Sequence, residues 1–137
     1  MLGTVPLTLA PLIVYNLFAL GILGTDGGDP WLTPLFTVEM ISGARLTPTS
    51  GDFLVIAAVV LLFGEIIKAT RTGSVTLGDH VLSMIVFVVY LVEFLVVARA
   101  AHPVFLILTV IAFIDVVAGF SITIRAARRD VGISDRF

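Results

Sequence analysis

Residues Pro103 to Arg129 read PVFLILTVIAFIDVVAGFSITIRAARR, and this stretch decides the class of fold. Its first twenty-two residues, Pro103 to Ile124, hold a single charge, Asp115, and three arginines follow within the next five positions. About 20 consecutive apolar residues are needed to cross a hydrocarbon layer of ~30 Å. The run therefore predicts a membrane helix, and Arg125, Arg128 and Arg129 predict where it leaves the lipid. An ionisable group near the middle of such a helix is costly against acyl chains, so Asp115 is expected to face other helices, a partner or water.

The rest of the chain has the same character. Of its 137 residues, 58% are hydrophobic and 13% charged, and the mean hydropathy is +1.14. This composition predicts an integral membrane protein. The net charge of −2 says little about partners, because the position of charges matters in membrane proteins rather than their sum. There is no basic patch with interleaved aromatics, so nucleic acid is not an expected partner. The chain has no cysteine, which removes disulfides, thiolate metal sites and a thiol nucleophile.

Four segments follow, and the reading is an all-α protein whose four transmembrane helices form an up-down bundle. The expected spans are 5–24, 52–69, 80–99 and 103–125, with an external connection at 25–51 and a basic tail at 126–137. The first twenty-five residues carry no charge, so the basic start of a signal peptide is lacking and the first apolar run is read as a membrane helix. It ends at Gly21 and Gly24, before the turn-rich Thr25 to Pro30. Ser50 or Asp52 is the expected N-cap of the second helix and Asp79 that of the third, while Pro103 suits the first turn of the fourth.

In the external connection, Phe36 to Met40 alternates apolar and polar residues, Ile41-Ser42-Gly43 is a turn signal, and Ala44 to Thr47 returns. This predicts a short β-hairpin against the outer membrane face, with Trp31 as an interfacial anchor. A helix there would place Glu39 on the same face as Leu32, Leu35 and Phe36, which disfavours it.

Six of the eight basic side chains, Lys68, Arg71, Arg125, Arg128, Arg129 and Arg136, fall on the side shared by both termini, leaving Arg45 and Arg99 opposite. The positive-inside rule then puts both termini in the cytoplasm. One lysine beside seven arginines suggests a GC-rich bacterial genome, hence a bacterial inner membrane.

Helical rise locates the polar groups in depth. Asp115 lies roughly 15 Å from the cytoplasmic end, with Asn16 and Tyr90 at similar depth, and Glu93 lies roughly 9 Å inside the external end. Ala112, Gly119 and Thr123 share a face with Asp115 and form the expected helix-packing seam. Asp115 is either a protonatable site that exchanges a proton or cation, or a carboxyl that holds helices in register through Asn16 or Tyr90. Glu93 either lines an external vestibule or pairs with Arg99. Asp115 and Glu93 are too far apart in depth to share one proton, although they suit successive stations of a relay. Glu65 and Lys68 are expected to pair at the cytoplasmic boundary. Arg125, Arg128 and Arg129 are expected to attract anionic headgroups, at on the order of 1 kcal/mol each. His80 and His102, at opposite ends of one helix, read as interfacial residues.

No catalytic triad, metal-binding cluster or phosphate loop is evident, so neither enzyme activity, a metal nor a cofactor is expected. In size and four-helix organisation the chain is similar to small drug-efflux transporters that work as dimers. Those carry a glutamate in the first helix, where this sequence has no acid, so the resemblance covers architecture and transfers no residue. Two functions stay open. One is a non-enzymatic accessory or assembly subunit associating with itself or a larger membrane complex. The other is a homo-oligomeric channel or proton-coupled transporter using Asp115 and Glu93.

Overall fold

The computed structural model describes residues 4–23, 27–71 and 77–134. Of the sequence expectations, Gly24, Thr25, Asp26 and Arg136 lie outside them. The elements run α1 (Leu9–Ala19), a 3-10 turn (Pro30–Leu32), β1 (Val38–Glu39), β2 (Arg45–Leu46), α2 (Ser50–Thr70), α3 (Leu77–Val96), a second 3-10 turn (Ala98–Ala100) and α4 (Pro103–Ser134). Three of the four helices, α2, α3 and α4, are long and apolar enough to cross a membrane.

The first helix is shorter than its apolar run predicts. Its eleven residues rise only ~16 Å. Residues Thr4 to Thr8 form turns instead, with Leu9 N donating to Pro6 O and Ala10 N to Leu7 O, both at 3.1 Å. Side chains from α2 and α3 take the Leu7 N–H and the Val5 and Thr8 carbonyls, so this backbone is satisfied without being helical. At the other end Gly21 has φ +74°, Ile22 N donates to Leu17 O and Gly21 N to Phe18 O. This pair of bonds closes a helix through a left-handed glycine.

The second helix opens on a capping box. The Thr49 hydroxyl accepts from Asp52 N at 3.3 Å, and the Asp52 carboxylate accepts from Thr49 N at 2.9 Å. The N-cap is thus Thr49, not Ser50 or Asp52, and Asp52 is the reciprocal third residue. Likewise Asp79 lies within the first turn of α3 rather than before it, where a negative charge still complements the helix dipole. The fourth helix starts at Pro103 as expected but runs for 32 residues, ~48 Å. Residues 126–134, expected as a tail, continue the helix past the arginines.

Helix α4 packs against both α2 and α3, which scarcely touch each other. A Cβ on Gly51 would meet Val104 Cγ2 at 2.9 Å, so α2 and α4 start side by side and run parallel. A Cβ on Gly119 would come within 3.1 Å of His80 Nδ1, so α3 starts beside the later part of α4 and runs the opposite way. The core is built from Leu54, Ala58 and Leu62 of α2, Tyr90 of α3, and Phe105 and Leu108 of α4. Leu12 and Tyr15 of α1 close it.

A two-stranded antiparallel sheet stands between α1 and α2, pairing Val38 with Leu46 and Glu39 with Arg45. Its turn holds Gly43 at φ +81°, Gly43 N donating to Met40 O and Met40 N to Ala44 O, both at 2.8 Å. A three-residue loop with a left-handed glycine is a common hairpin closure. Trp31, expected as an interfacial anchor, is folded inward: 4% exposed, its ring stacks on Tyr15 at 4.9 Å.

Candidate functional site

Several of the polar side chains inside the apolar segments converge on the first sixteen described residues, Thr4 to Ala19. Near the C-terminal end of α2, Glu65 Oε1 accepts from Leu7 N at 2.6 Å and from Lys68 Nζ at 2.9 Å. Lys68 Nζ also reaches Val5 O at 3.3 Å. The expected Glu65–Lys68 pair is present, but Glu65 is buried at 6% exposure while Lys68 keeps one end in the open. Burying a carboxylate is costly unless donors meet it, and here an ammonium and a backbone N–H do so.

One layer further in, Thr8 Oγ1 donates to Asp115 Oδ2 at 3.2 Å, and Tyr90 Oη donates to Thr8 O at 2.7 Å. Thr8 is the N-cap of α1 by position, yet its hydroxyl makes no cap bond. It serves α4 instead. Asp115 thus meets Tyr90 through Thr8, and Asn16 is not its partner. Asn16 Nδ2 donates to Leu12 O at 3.0 Å and to Glu93 Oε2 at 3.2 Å. Arg99 Nη1 donates to Ala19 O at 2.5 Å, and Tyr15 Oη to Arg99 O at 2.7 Å. The Glu93 carboxylate is therefore tied to Asn16 and the Arg99 guanidinium to the end of α1. Asp115 and Glu93 bind positions of the first segment eight residues apart and share no group.

The seam residues fall where α4 meets its neighbours. Ala112 is 2% exposed in the core, Gly119 lies against the His80 ring, and Thr123 Oγ1 is 2.5 Å from His80 Nε2. His80, expected at the interface, is buried and stacks on Phe120 at 5.1 Å. A cavity of about 30 Å³ sits among Glu65, Lys68, Asp79, His80, Ser83 and Asp115, room for one or two waters. Arg125, Arg128 and Arg129 are exposed on the α4 extension beyond this end.

At the opposite end, Asp29 Oδ1 accepts from Trp31 N at 3.0 Å and Asp29 Oδ2 lies 2.8 Å from His102 Nε2. His102 Nδ1 accepts from Val104 N at 3.1 Å, so His102 caps α4. With Nδ1 accepting from Val104 N, Nε2 is the ring nitrogen placed to donate to Asp29 Oδ2. Burial pushes the Asp29 carboxyl upward, but the Trp31 N–H and the His102 ring outweigh it and hold it below its ordinary 3.8.

Thr8, His80 and the inward turn of Trp31 escaped the sequence reading. Thr8 carried a usable signal: a buried Asp115 requires a donor, and a hydroxyl just before an apolar helix is one. Among the described residues, no three His, Asp or Glu side chains gather as a metal site.

These features define an all-helical protein with three membrane-length helices, built around a short first helix held by polar contacts. Comparison of the chain with protein-family models, curated proteins and solved structures gives no match.

Proposed function

We propose that the protein is a non-enzymatic accessory or assembly subunit of a bacterial inner membrane, associating with itself or with a larger membrane complex. One observation carries this reading. The charged, amide and hydroxyl groups within the apolar runs tie residues 5–19 to α2, α3, α4 and the α3–α4 connection. Every buried side-chain nitrogen and oxygen among the described residues has a partner. Buried polar groups of this kind act as helix glue.

Four passes with both termini cytoplasmic suit the geometry. Val5 lies at Lys68 and Ala19 at Arg99, so the short helix and its turned lead extend between the two ends of the long helices. The positive-inside count then sets the orientation, and Arg125, Arg128 and Arg129 meet anionic headgroups at the cytoplasmic face.

A homo-oligomeric channel or proton-coupled transporter is the second reading, favoured by the small polar cavity beside Asp115. Native mass spectrometry of the protein released gently from its own membrane, without overexpression, tests the two. A complex of fixed stoichiometry with another polypeptide, or a closed homo-oligomer that conducts nothing in liposomes, is the expected result. Proton flux in liposomes that Asp115→Asn and Glu93→Gln each abolish overturns it in favour of transport.

A further inference from the structure

The hairpin between α1 and α2 has two unlike faces. Side chains of paired and alternate residues share a face, so the Val38↔Leu46 pair places Phe36, Val38, Met40 and Leu46 together. The Glu39↔Arg45 pair and the Thr37–Thr47 hydroxyl contact at 2.9 Å form the other face. From Phe36 to Thr47 one side is thus apolar and the other polar. The four apolar side chains are each about half exposed, and Ile41 at the tip is fully exposed.

The apolar face also has a direction. The Phe36 ring meets Phe53 of α2 edge-on, with centroids 5.8 Å apart. Below Phe53 on the same helical face follow Ile56, Val60 and Phe63, all exposed. This stripe is made chiefly of large side chains, with the exposed Ala57 among them, whereas Ala58, Ala112 and Gly119, small residues of the kind that let membrane helices approach, are used inside the molecule. An exposed stripe dominated by large side chains suits acyl chains better than the close approach of another helix. Phe36 thus joins the apolar face of the hairpin to this stripe, while Glu39 and Arg45 lie on the opposite face.

We propose that the hairpin lies in the boundary between headgroups and acyl chains, with Phe36, Val38, Met40 and Leu46 against lipid, Ile41 inserted at the tip, and Glu39 and Arg45 facing water. The proposal rests on the reading of α2 as a membrane span. It makes the hairpin an interfacial float that sets the depth and tilt of α2.

Because the chain has no cysteine, single-cysteine variants report each site cleanly. Val38→Cys and Met40→Cys sample the apolar face, Thr37→Cys and Glu39→Cys the polar face, and Val60→Cys the α2 stripe. Each carries an environment-sensitive fluorophore in phosphatidylcholine vesicles containing lipids spin-labelled either at the headgroup or deep in the chain. An unchanged Trp31 emission confirms that each variant is folded. The expected result is a blue shift and loss of intensity with the shallow quencher at positions 38 and 40, deep quenching at 60, and water-like emission at 37 and 39. Quenching at 60 with water-like emission at 38 and 40 overturns the hairpin proposal and leaves the span intact. No lipid quenching at 60 removes the span and the proposal together. Blue-shifted labels at 38 and 40 that neither quencher reaches overturn the proposal in favour of a protein covering that face.

Discussion

Thr8 is the residue on which the interior turns, since its hydroxyl serves Asp115 and its carbonyl serves Tyr90. Removing one partner of a buried polar pair costs about 1–3 kcal/mol, whereas removing both can be nearly neutral. Thr8→Val should therefore destabilise the protein by about 1–3 kcal/mol. Asp115→Asn, which keeps an acceptor for the hydroxyl, should cost less. Thr8→Val combined with Asp115→Leu should cost less than the sum of the two single changes, as coupled neighbours do. Denaturant titration in a fixed detergent measures all of these. Equal costs for Thr8→Val and Asp115→Asn, with an additive double variant, would show that the bond contributes nothing. At the other end Asp29 predicts a pH dependence. Its pKa is lower folded than unfolded, so the ionised form favours the folded loop. That contribution is complete above 3.8 and is lost as pH falls through the lower folded value. Trp31 is the single tryptophan, bonded through its N–H to Asp29, and reports the change directly. Its emission should shift red on acidification below that range in the parent protein, and Asp29→Asn should lack the step. Asp115 and Glu93 were legible in the sequence as lone charges within long apolar runs. Their partners were not, for a physical reason: a uniform rise of ~1.5 Å per residue was assumed from Val5. Residues 4–8 form turns, so Thr8 arrives at the level of Asp115 and Asn16 at that of Glu93.

At the scale of elements, glycines distinguish contacts from mere helix propensity. Gly51 lets the turn at Trp31 rest on the start of α2, where an added Cβ would lie 2.9 Å from the Trp31 carbonyl oxygen and 2.9 Å from Val104 Cγ2. Backbone cannot move aside cheaply, and overpacking costs typically 1–3 kcal/mol. Gly51→Ala is expected at the upper end of that range. Gly119→Ala meets the His80 ring at 3.1 Å and must push it against its bond to Thr123, so a cost nearer about 1 kcal/mol is expected. Gly132, in the α4 extension, has nothing within 4 Å of an added Cβ. Gly132→Ala should gain up to about 1 kcal/mol of local helix stability from propensity alone. Thermal unfolding in detergent orders the first two, and amide exchange near residue 132 reads the third. A reversed order of Gly51→Ala and Gly119→Ala would contradict the packing described. The element types themselves were largely legible. Alternation and the Ile41-Ser42-Gly43 turn located the hairpin, and Pro103 located the start of α4. The end of α4 was not legible, because arginine is a good helix former and marks a change of solvent rather than a helix stop. Nor was the length of α1, whose backbone bonds are replaced by side chains more than fifty residues away.

For the whole molecule, the decisive feature is how much large apolar surface remains outside. Ile56, Val60 and Phe63 of α2, Val88, Val92 and Leu95 of α3, and Val110 and Phe113 of α4 are all substantially exposed. A soluble monomer rarely exposes contiguous apolar patches beyond a few hundred Å², and these faces run the length of three helices. Which end faces which compartment follows from charge. The end bearing Lys68, Arg71 and the α4 arginines is predicted to be cytoplasmic, since basic residues near membrane-helix ends resist export. An impermeant thiol reagent tests this in intact cells. Ser42→Cys at the exposed hairpin turn should react from outside, and Ala126→Cys on the α4 extension only after the membrane is opened. A first segment that failed to cross would put the start of the chain on the hairpin side while α2 to α4 kept their orientation. In the four-pass topology the start of the chain lies on the side of the α4 extension, so Thr4→Cys should behave like Ala126→Cys. Reaction of Thr4→Cys from outside would reduce the molecule to three spans with a re-entrant first helix. Reaction of Ala126→Cys from outside would invert the topology.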